Sequence, residues 1–199
     1  MPPLNRSALA DDPIEQFREW YERAADEVPL ADAMVLATAD ADGSPDARMV
    51  LLKGFGPDGF RFFTNLDSAK ARQIRARPLA ALILYWRELD RQVRIRGRVD
   101  RLSPAEDDAY FATRPAAARI GAWASPQSDP LPDREALDER VRQVTERFAG
   151  GDILRPDFWG GYIVRPVRIE FWQGQAARLH DRFVYEREED GWSIRRLAP

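Results

Sequence analysis

The sequence predicts a mainly antiparallel β protein, either an open sheet or a closed barrel, with a few helices on its outside. Short apolar or alternating segments bounded by turn residues recur roughly every ten residues and outnumber the helical patterns. The chain also lacks GxGxxG and GxxxxGK[ST], the motifs typical of parallel nucleotide-binding sheets. A parallel α/β fold is therefore disfavoured.

The first half of the chain supplies most of the predicted strands. Residues 1–11 are polar and irregular, which predicts a flexible arm, and residues 12–199 are predicted to form one domain. Asp12 and Pro13 have the pattern of a helix start, a cap followed by a first-turn proline. Strands are predicted over residues 33–39, 47–53, 60–64, 79–86 and 92–102, with a helix over 68–77.

The second half contains two further helices and the remaining strands. Ser103 and Glu106 form a capping-box pattern that opens a helix running towards Arg114. A second helix is predicted over residues 133–148, ended by glycines at 150–151. Residues 159–197 are predicted to be strands with turns at 165–166, 173–175 and 190–191.

Composition excludes several function classes. The chain has 199 residues, no cysteine, one histidine and a formal net charge of −3. Disulfides, zinc fingers and thiol nucleophiles are therefore excluded, and no metal site is expected. The net charge argues against a general nucleic-acid binder. No signal peptide and no apolar run of roughly 20 residues is found, so we predict a cytoplasmic protein without a membrane partner.

One candidate site is the segment that contains Arg178, His180 and Arg182. On a strand these alternate positions share a face, so two guanidiniums and an imidazole would point the same way, with Leu179 towards the core. Such a face would suit an anion or an electron-rich ring. The pattern alone slightly favours a solvated arginine face in which Asp181 is an ion-pair partner.

Other polar groups along the chain are suited to binding phosphates. Arg48 and Lys53 bracket an apolar strand, and Lys70 lies at a predicted strand-to-helix junction where backbone N–H groups are free. Tyr110 and Arg114 share a helix face. Each group also has an ordinary structural interpretation, as does a further set that could contact a flavin: Gln92, Gln127, Ser128 and Trp172.

Taken in order, these motifs resemble one family. The succession comprises RMVLLK at 48–53, FTN at 63–65, ELDRQV at 88–93, IGAW at 120–123, QS at 127–128, FWGG at 158–161, IEFWQG at 169–174, RLHDR at 178–182 and the ending RLAP. It is similar to that of the pyridoxine/pyridoxamine 5′-phosphate oxidases, and it covers the chain from about Asp12 onward. Nine ordered motifs are far more specific than any one of them.

The resemblance implies an FMN-binding split β-barrel that works as a homodimer, with FMN in clefts between the subunits. By motif match, Arg178 and His180 would be catalytic. Lys53, Tyr110 and Arg114, together with that pair, would bind the substrate. The residues implied in FMN binding are Arg48, Met49, Val50, Leu51, Leu52, Lys53, Phe63, Thr64, Lys70, Gln92, Gln127, Ser128, Trp172 and Arg182.

The implied reaction oxidises pyridoxamine or pyridoxine 5′-phosphate to pyridoxal 5′-phosphate. Hydride passes from C4′ to FMN N5, the imine formed from the amine is hydrolysed, and O₂ is reduced to H₂O₂. Two positions depart from the family's pattern: Ala69 replaces an arginine near the FMN phosphate, and Ala118 replaces a serine near the substrate phosphate. Another flavin split-barrel oxidase, or a flavin-binding protein without turnover, is the alternative.

Overall fold

Antiparallel pairing of hairpins and returning strands builds a nine-stranded sheet that curls into a half-barrel with the helices outside it. A computed structural model describes residues 2–199. The sheet order is β2-β1-β5-β6-β7-β4-β3, and β8 pairs with both β7 and β9. The strands are β1 (Ala33–Ala39), β2 (Pro45–Leu51), β3 (Gly54–Gly56), β4 (Gly59–Asn65), β5 (Leu79–Trp86), β6 (Arg91–Arg101), β7 (Trp159–Gln173), β8 (Asp181–Glu188) and β9 (Gly191–Leu197).

Alternation along the strands sets which side chains enter the core. In β6, Val93 and Ile95 are fully buried while Arg94 and Arg96 face outward, as the sequence predicts. Helix α1 (Pro13–Glu27) closes one side, with Phe17 edge-on to the ring of Phe60 at 4.9 Å between centroids. Burial of one such large apolar side chain contributes about 1.5–3 kcal/mol.

The helices begin where capping residues supply partners for free N–H groups. They are α1 (Pro13–Glu27), α2 (Ala69–Ala76), α3 (Pro104–Thr113), α4 (Ala116–Ala124) and α5 (Arg134–Arg147). Asp12 accepts the Ile14 N–H, and the Ser103–Glu106 capping box is present. Helix α4 was not predicted, because its alanine-rich start has no amphipathic period. None of the helices within residues 2–199 is long and apolar enough to cross a membrane.

The predicted turn at 165–166 is wrong. Strand β7 continues through this point and stays paired with β6, whose register shifts between Arg96 and Gly97. Gly97 pairs with Pro166 and Arg96 with Arg168, so Val167 is the extra residue of a bulge. The bulge accommodates the proline, which has no N–H to give to the ladder.

Residues 2–11, for which the sequence predicts a flexible arm, pack against the barrel in the structure; Met1 lies outside the described residues. Leu4 and Leu9 are buried, and the Leu4 N–H donates to Asp181 at 2.9 Å. The Tyr185 hydroxyl donates to the Ala10 carbonyl at 2.7 Å. Two leucines in a polar segment are a weak sequence signal, which is why composition alone suggested flexibility.

We expect Gly97→Ala to lower the free energy of unfolding by about 1–3 kcal/mol. A Cβ at Gly97 would lie 2.0 Å from the Arg165 carbonyl oxygen, so the bulge between the two longest strands would have to open. Urea unfolding measures the loss. Gly151→Ala is the control, because a Cβ there meets nothing within 4 Å. Equal stability of the two variants would contradict the requirement for close approach at Gly97.

Candidate functional site

A cleft of about 1010 Å³ opens between strands β2 and β4 and helices α2, α3 and α4. Most of the predicted phosphate-binding side chains meet there. Its lining includes Arg48, Met49, Val50, Leu51, Lys53, Phe63, Thr64, Lys70, Tyr110, Arg114, Gln127 and Ser128. Leu52 is an exception among the predicted residues: alternation along the chain turns its side chain into the hydrophobic core, where it is 4% exposed.

One end of the cleft is formed by the start of helix α2. Ser68 precedes the helix, but its hydroxyl donates to the Asn65 carbonyl instead of capping the helix. The Ala69 N–H donates to Ser128 Oγ at 3.1 Å, and the Lys70 ammonium donates to Gln127 Oε1 at 3.2 Å. Helix N–H groups, a hydroxyl and a lysine therefore converge, which is a suitable arrangement for a phosphate.

Lys70 is buried, at 7% exposure, and makes no ion pair with a carboxylate in the part of the chain that the structure describes. Burial lowers the pKa of its ammonium, and the nearby Arg48 guanidinium lowers that pKa further. Arg48 is itself held by Thr38 Oγ1 at 2.5 Å, by Gln73 Oε1 at 2.9 Å and by Asp46. The Lys70 ammonium and the Arg48 guanidinium repel each other, and an anion placed between them would stabilise both charges.

The other end of the cleft has an aromatic wall. The Phe63 ring stacks on Tyr110 at 3.9 Å and on Trp159 at 5.4 Å between centroids. The Arg114 guanidinium lies 4.7 Å from the Trp159 ring centroid. Lys53 lines the same cleft and pairs with Asp32 at 2.7 Å. This end therefore offers a hydroxyl and two cations beside flat rings.

Arg114 provides a test of whether this end suits an anionic group. Its Nη1 is buried and, among residues 2–199, has no hydrogen-bond partner. Burial also lowers the pKa of the guanidinium. Leaving a buried charged donor unsatisfied costs more than a typical hydrogen bond contributes. A phosphate oxygen at this point would satisfy the donor and restore its ordinary pKa.

Comparison with known proteins identifies the family. A family model described as pyridoxamine 5′-phosphate oxidase matches residues 21–148. A second model, described as the pyridoxine 5′-phosphate oxidase C-terminal dimerisation region, matches residues 159–199. The chain belongs to the pyridoxamine 5′-phosphate oxidase family. The resemblance predicted from the ordered motifs is thereby confirmed.

Full-length relatives agree with the family models. The chain is 53% identical to a pyridoxine/pyridoxamine 5′-phosphate oxidase of Rubrobacter xylanophilus, over 98% of this chain and 92% of the relative. It is 50% identical to one of Caulobacter vibrioides, over 100% of this chain and 88% of the relative. The crystal structure of PhzG from Burkholderia lata, in complex with tetrahydrophenazine-1-carboxylic acid, has a TM-score of 0.92 and 32% identity, covering 98% of each chain.

The fold of this family member is the predicted split barrel. A pyridoxamine 5′-phosphate oxidase-related, FMN-binding protein from Nostoc punctiforme is 22% identical and has a TM-score of 0.75, covering 96% of this chain and all of that one. At this identity the comparison supports the architecture alone. The prediction of a mainly antiparallel barrel with outer helices is confirmed.

The remaining predicted site residues form a second group away from the cleft. Gln92 on β6 pairs with Trp172 on β7, which pairs with Arg182 on β8. The His180 ring lies 4.7 Å from Trp172, and His180 Nδ1 accepts the Gln175 N–H at 3.2 Å. We call Gln92, Trp172, Arg178, His180 and Arg182 the C-terminal group.

The predicted strand face of Arg178, His180 and Arg182 is only partly correct. Strand β8 begins at Asp181, so Arg182 lies on a strand, but Arg178 ends a short 3₁₀ turn and His180 lies in the connection. Arg178 has φ +62 and Leu179 is 68% exposed, not in the core. Arg182 donates to the buried Glu170 at 2.9 Å. Residues 174–180 form the loop before Asp181, because the pairing of β7 with β8 ends at Gln173 and Asp181.

Sequence reasoning missed several residues of the cleft. Trp159 and Asp46 line it, although neither was predicted to. Trp159 belongs to a quoted motif, so its type was noticed, but its stack with Phe63 depends on β4 pairing with β7. Strand pairings between segments so distant in sequence have no local signal.

We expect Lys70→Met to weaken FMN binding about 10- to 100-fold, because it removes one charged hydrogen bond to the phosphate. In the unaltered protein, affinity should fall as pH rises through the lowered pKa of Lys70, beginning below 10.5, its ordinary value. The variant should lack this alkaline decline. Fluorescence titration of FMN measures both effects. Arg72→Met, which alters an exposed cation of the same helix, should leave both unchanged.

Proposed function

We propose that this protein is an FMN-dependent oxidase that converts pyridoxamine or pyridoxine 5′-phosphate to pyridoxal 5′-phosphate, with O₂ as the electron acceptor. The observation that carries the proposal is one cleft with a phosphate-binding group at each end. Lys70 with the α2 N–H groups lies at the first end, and Arg114 with Tyr110 lies at the second. A substrate phosphate would find the unsatisfied Arg114 Nη1 at the second end, and a flavin phosphate would exchange places with the present acceptors, Ser128 and Gln127, at the first end.

The first end would hold the FMN phosphate and ribityl chain. Arg48, Lys70, Gln127 and Ser128 supply donors, and Ser128 has φ +79, an unfavourable backbone conformation that aims its hydroxyl at the α2 start. Bound FMN supplies the hydride acceptor and passes the electrons to O₂. The protein would hold the flavin and the substrate in the correct relative position and keep the cleft positively charged.

The second end would hold the substrate phosphate. Arg114 can present its unpartnered Nη1, and Tyr110 its hydroxyl, to phosphate oxygens. Lys53 would exchange some of its contact with Asp32 for the phosphate. The Phe63–Tyr110–Trp159 stack limits the motion of these groups, because each ring is packed against the next.

The C-terminal group would complete the cleft of a second copy of this chain. Trp159 at the cleft and Trp172 in the group are 13 residues apart on one strand, roughly 40 Å along an extended β-strand. That separation is too large for both to contact one flavin. Four of the five members of the group lie in the segment that matches the dimerisation region. We therefore infer a homodimer in which each cleft uses residues of both subunits.

Arg178 and His180 would then orient the substrate ring. His180 Nδ1 is occupied by the Gln175 N–H, which leaves Nε2 to contact the substrate. Arg178 is exposed on its turn and free of ion pairs within residues 2–199. Among the described residues, Asp46 is the only carboxylate of the cleft lining, and it is exposed. We therefore assign most of the protein's contribution to catalysis to the positioning of the substrate and to the positive charge of the cleft.

A second candidate is oxidation of a different ring that bears a carboxylate. The likeness to PhzG, a structure in complex with tetrahydrophenazine-1-carboxylic acid, favours it. A cationic end that accepts a phosphate also accepts a carboxylate. The identities of 50% or more with the pyridoxine/pyridoxamine 5′-phosphate oxidases favour the phosphorylated substrate.

The purified protein should be yellow, and pyridoxamine or pyridoxine 5′-phosphate added without O₂ should bleach its absorbance at about 450 nm. Admitting O₂ should restore the colour and yield H₂O₂. Unphosphorylated pyridoxine is the matched control and should bleach it far more slowly. A yellow protein that keeps its colour with both phosphates would reject the oxidase proposal and favour a flavin-binding protein without turnover.

Arg114→Gln should raise KM for pyridoxine 5′-phosphate by about 10- to 100-fold, since a charged hydrogen bond to the phosphate is lost. Its effect on unphosphorylated pyridoxine should be small. Steady-state kinetics with both compounds measures the difference, with Arg140→Gln on the exposed face of α5 as control. An equal rise in KM for the two compounds would show that Arg114 does not bind the phosphate.

A further inference from the structure

Helix α3 carries Tyr110, and Arg114 follows at its C-terminus, so the placement of this helix sets the second end of the cleft. One buried carboxylate fixes the helix to the sheet. The Asp107 side chain is 1% exposed. It accepts the Gly161 N–H of β7 at 2.6 Å and a guanidinium N–H of Arg101 at 2.8 Å. A buried carboxylate is stable only with such charged and backbone partners.

Arg101 extends this contact into a closed arrangement. Its guanidinium also donates to the carbonyl of Gly161, so one side chain of β6 binds both the helix carboxylate and the β7 backbone. Asp107, Arg101 and Gly161 therefore satisfy one another. We call these three residues the α3 anchor.

The close approach of helix and strand depends on glycine. A Cβ at Gly160 would lie 2.3 Å from Asp107 Oδ2 and 2.7 Å from Arg101 Nη2. A Cβ at Gly161 would lie 2.6 Å from the Phe63 ring. All three distances are shorter than the contacts that Cβ atoms make in proteins, so larger residues would move the anchor or the ring.

The anchor and the aromatic wall act on the same helix. Gly161 pairs across the sheet with Phe63, whose ring stacks on Tyr110 one turn after Asp107. The carboxylate thus fixes the helix at one point, and the ring fixes it at the next. Loss of the first contact would let α3 tilt about the second, and Arg114, about one turn beyond that pivot, would then shift more than Tyr110.

We propose that Asp107 is a positioning residue for the substrate phosphate: through Arg101 and Gly161 it sets where Tyr110 and Arg114 meet that phosphate. The inference rests on the proposed function of the cleft. Asp107 does not line the cleft and touches no reactant. The residues assigned to the FMN phosphate lie on β2, on α2 and in the 127–128 loop, outside the anchor.

Asp107→Asn tests this role in the FMN-loaded protein. The amide keeps the side-chain shape but turns an N–H donor towards Arg101, so two donors meet. We expect KM for pyridoxine 5′-phosphate to rise about tenfold, kcat to change less than about twofold and the FMN dissociation constant to stay the same. Asp108→Asn makes the same change at an exposed neighbour that pairs with Arg155, and it should have no effect.

Arg101→Lys is a second variant, should Asp107→Asn fail to fold. Lysine keeps a cation beside the buried Asp107 carboxylate but cannot bind both that carboxylate and the Gly161 carbonyl as the guanidinium does, so KM should rise in the same direction. A purely structural anchor predicts a different pattern: a lower melting temperature with KM unchanged, or a rise in KM accompanied by comparable losses of kcat and FMN affinity. Either pattern overturns the proposal.

A direct binding measurement separates this inference from the proposed function. If the unaltered protein does not oxidise either phosphate, calorimetric titration of the FMN-loaded protein with inorganic phosphate replaces the kinetics. Phosphate should then bind about tenfold more weakly to Asp107→Asn than to the unaltered protein and to Asp108→Asn. Equal affinities, or no phosphate binding by the unaltered protein, would overturn the positioning role independently of catalysis.

Discussion

The pairing of strand β7 with three other strands is the constraint on which the rest of the structure depends. Its first half pairs with β4, its second half with β8, and β6 runs beside it along nearly the whole length. A strand of 15 residues must bend to keep all three partners, and the bulge at Gly97 provides the bend. The same strand carries the glycine pair beneath α3 at one end and Trp172 at the other, so the barrel fixes the separation of the two groups of site residues.

Local pattern predicted most of the fold, because most elements are set by local physics. The alternation of Val93 and Arg94, and the caps at Asp12 and Ser103, are each determined within a few residues and were predicted correctly. The turn expected at 165–166 was wrong because a proline inside a strand has the same local signature as one at a turn. Only the long-range pairing with β6 distinguishes the two.

The candidate site was predictable in its residue types and not in its arrangement. Arg48, Lys70 and Arg114 were singled out because arginine and lysine bind phosphates, and the structure brings all three to one cleft. The position of Arg178 and His180 in a loop could not be predicted from local sequence, because the end of β7 at Gln173 decides where the loop begins. Asp107 had no sequence signal at all: an aspartate in the first turn of a helix has an ordinary stabilising role there.

Lys70 in the cleft and the Asp107–Arg101 pair beside it show two ways in which the fold tolerates buried charge. Among residues 2–199, Lys70 is buried beside Arg48 without a carboxylate partner, and burial together with the Arg48 charge lowers the pKa of its ammonium. Asp107 and Arg101, by contrast, neutralise each other. A folded chain keeps an uncompensated cation at a cost in stability, which an anionic ligand offsets on binding because it stabilises the folded state alone. The anchor at α3 is thus compensated within the chain, as Arg48 is by Asp46 and Lys53 by Asp32. Within residues 2–199, Lys70 and Arg114 have no carboxylate partner, and they are the cations of the cleft that an anionic ligand would compensate.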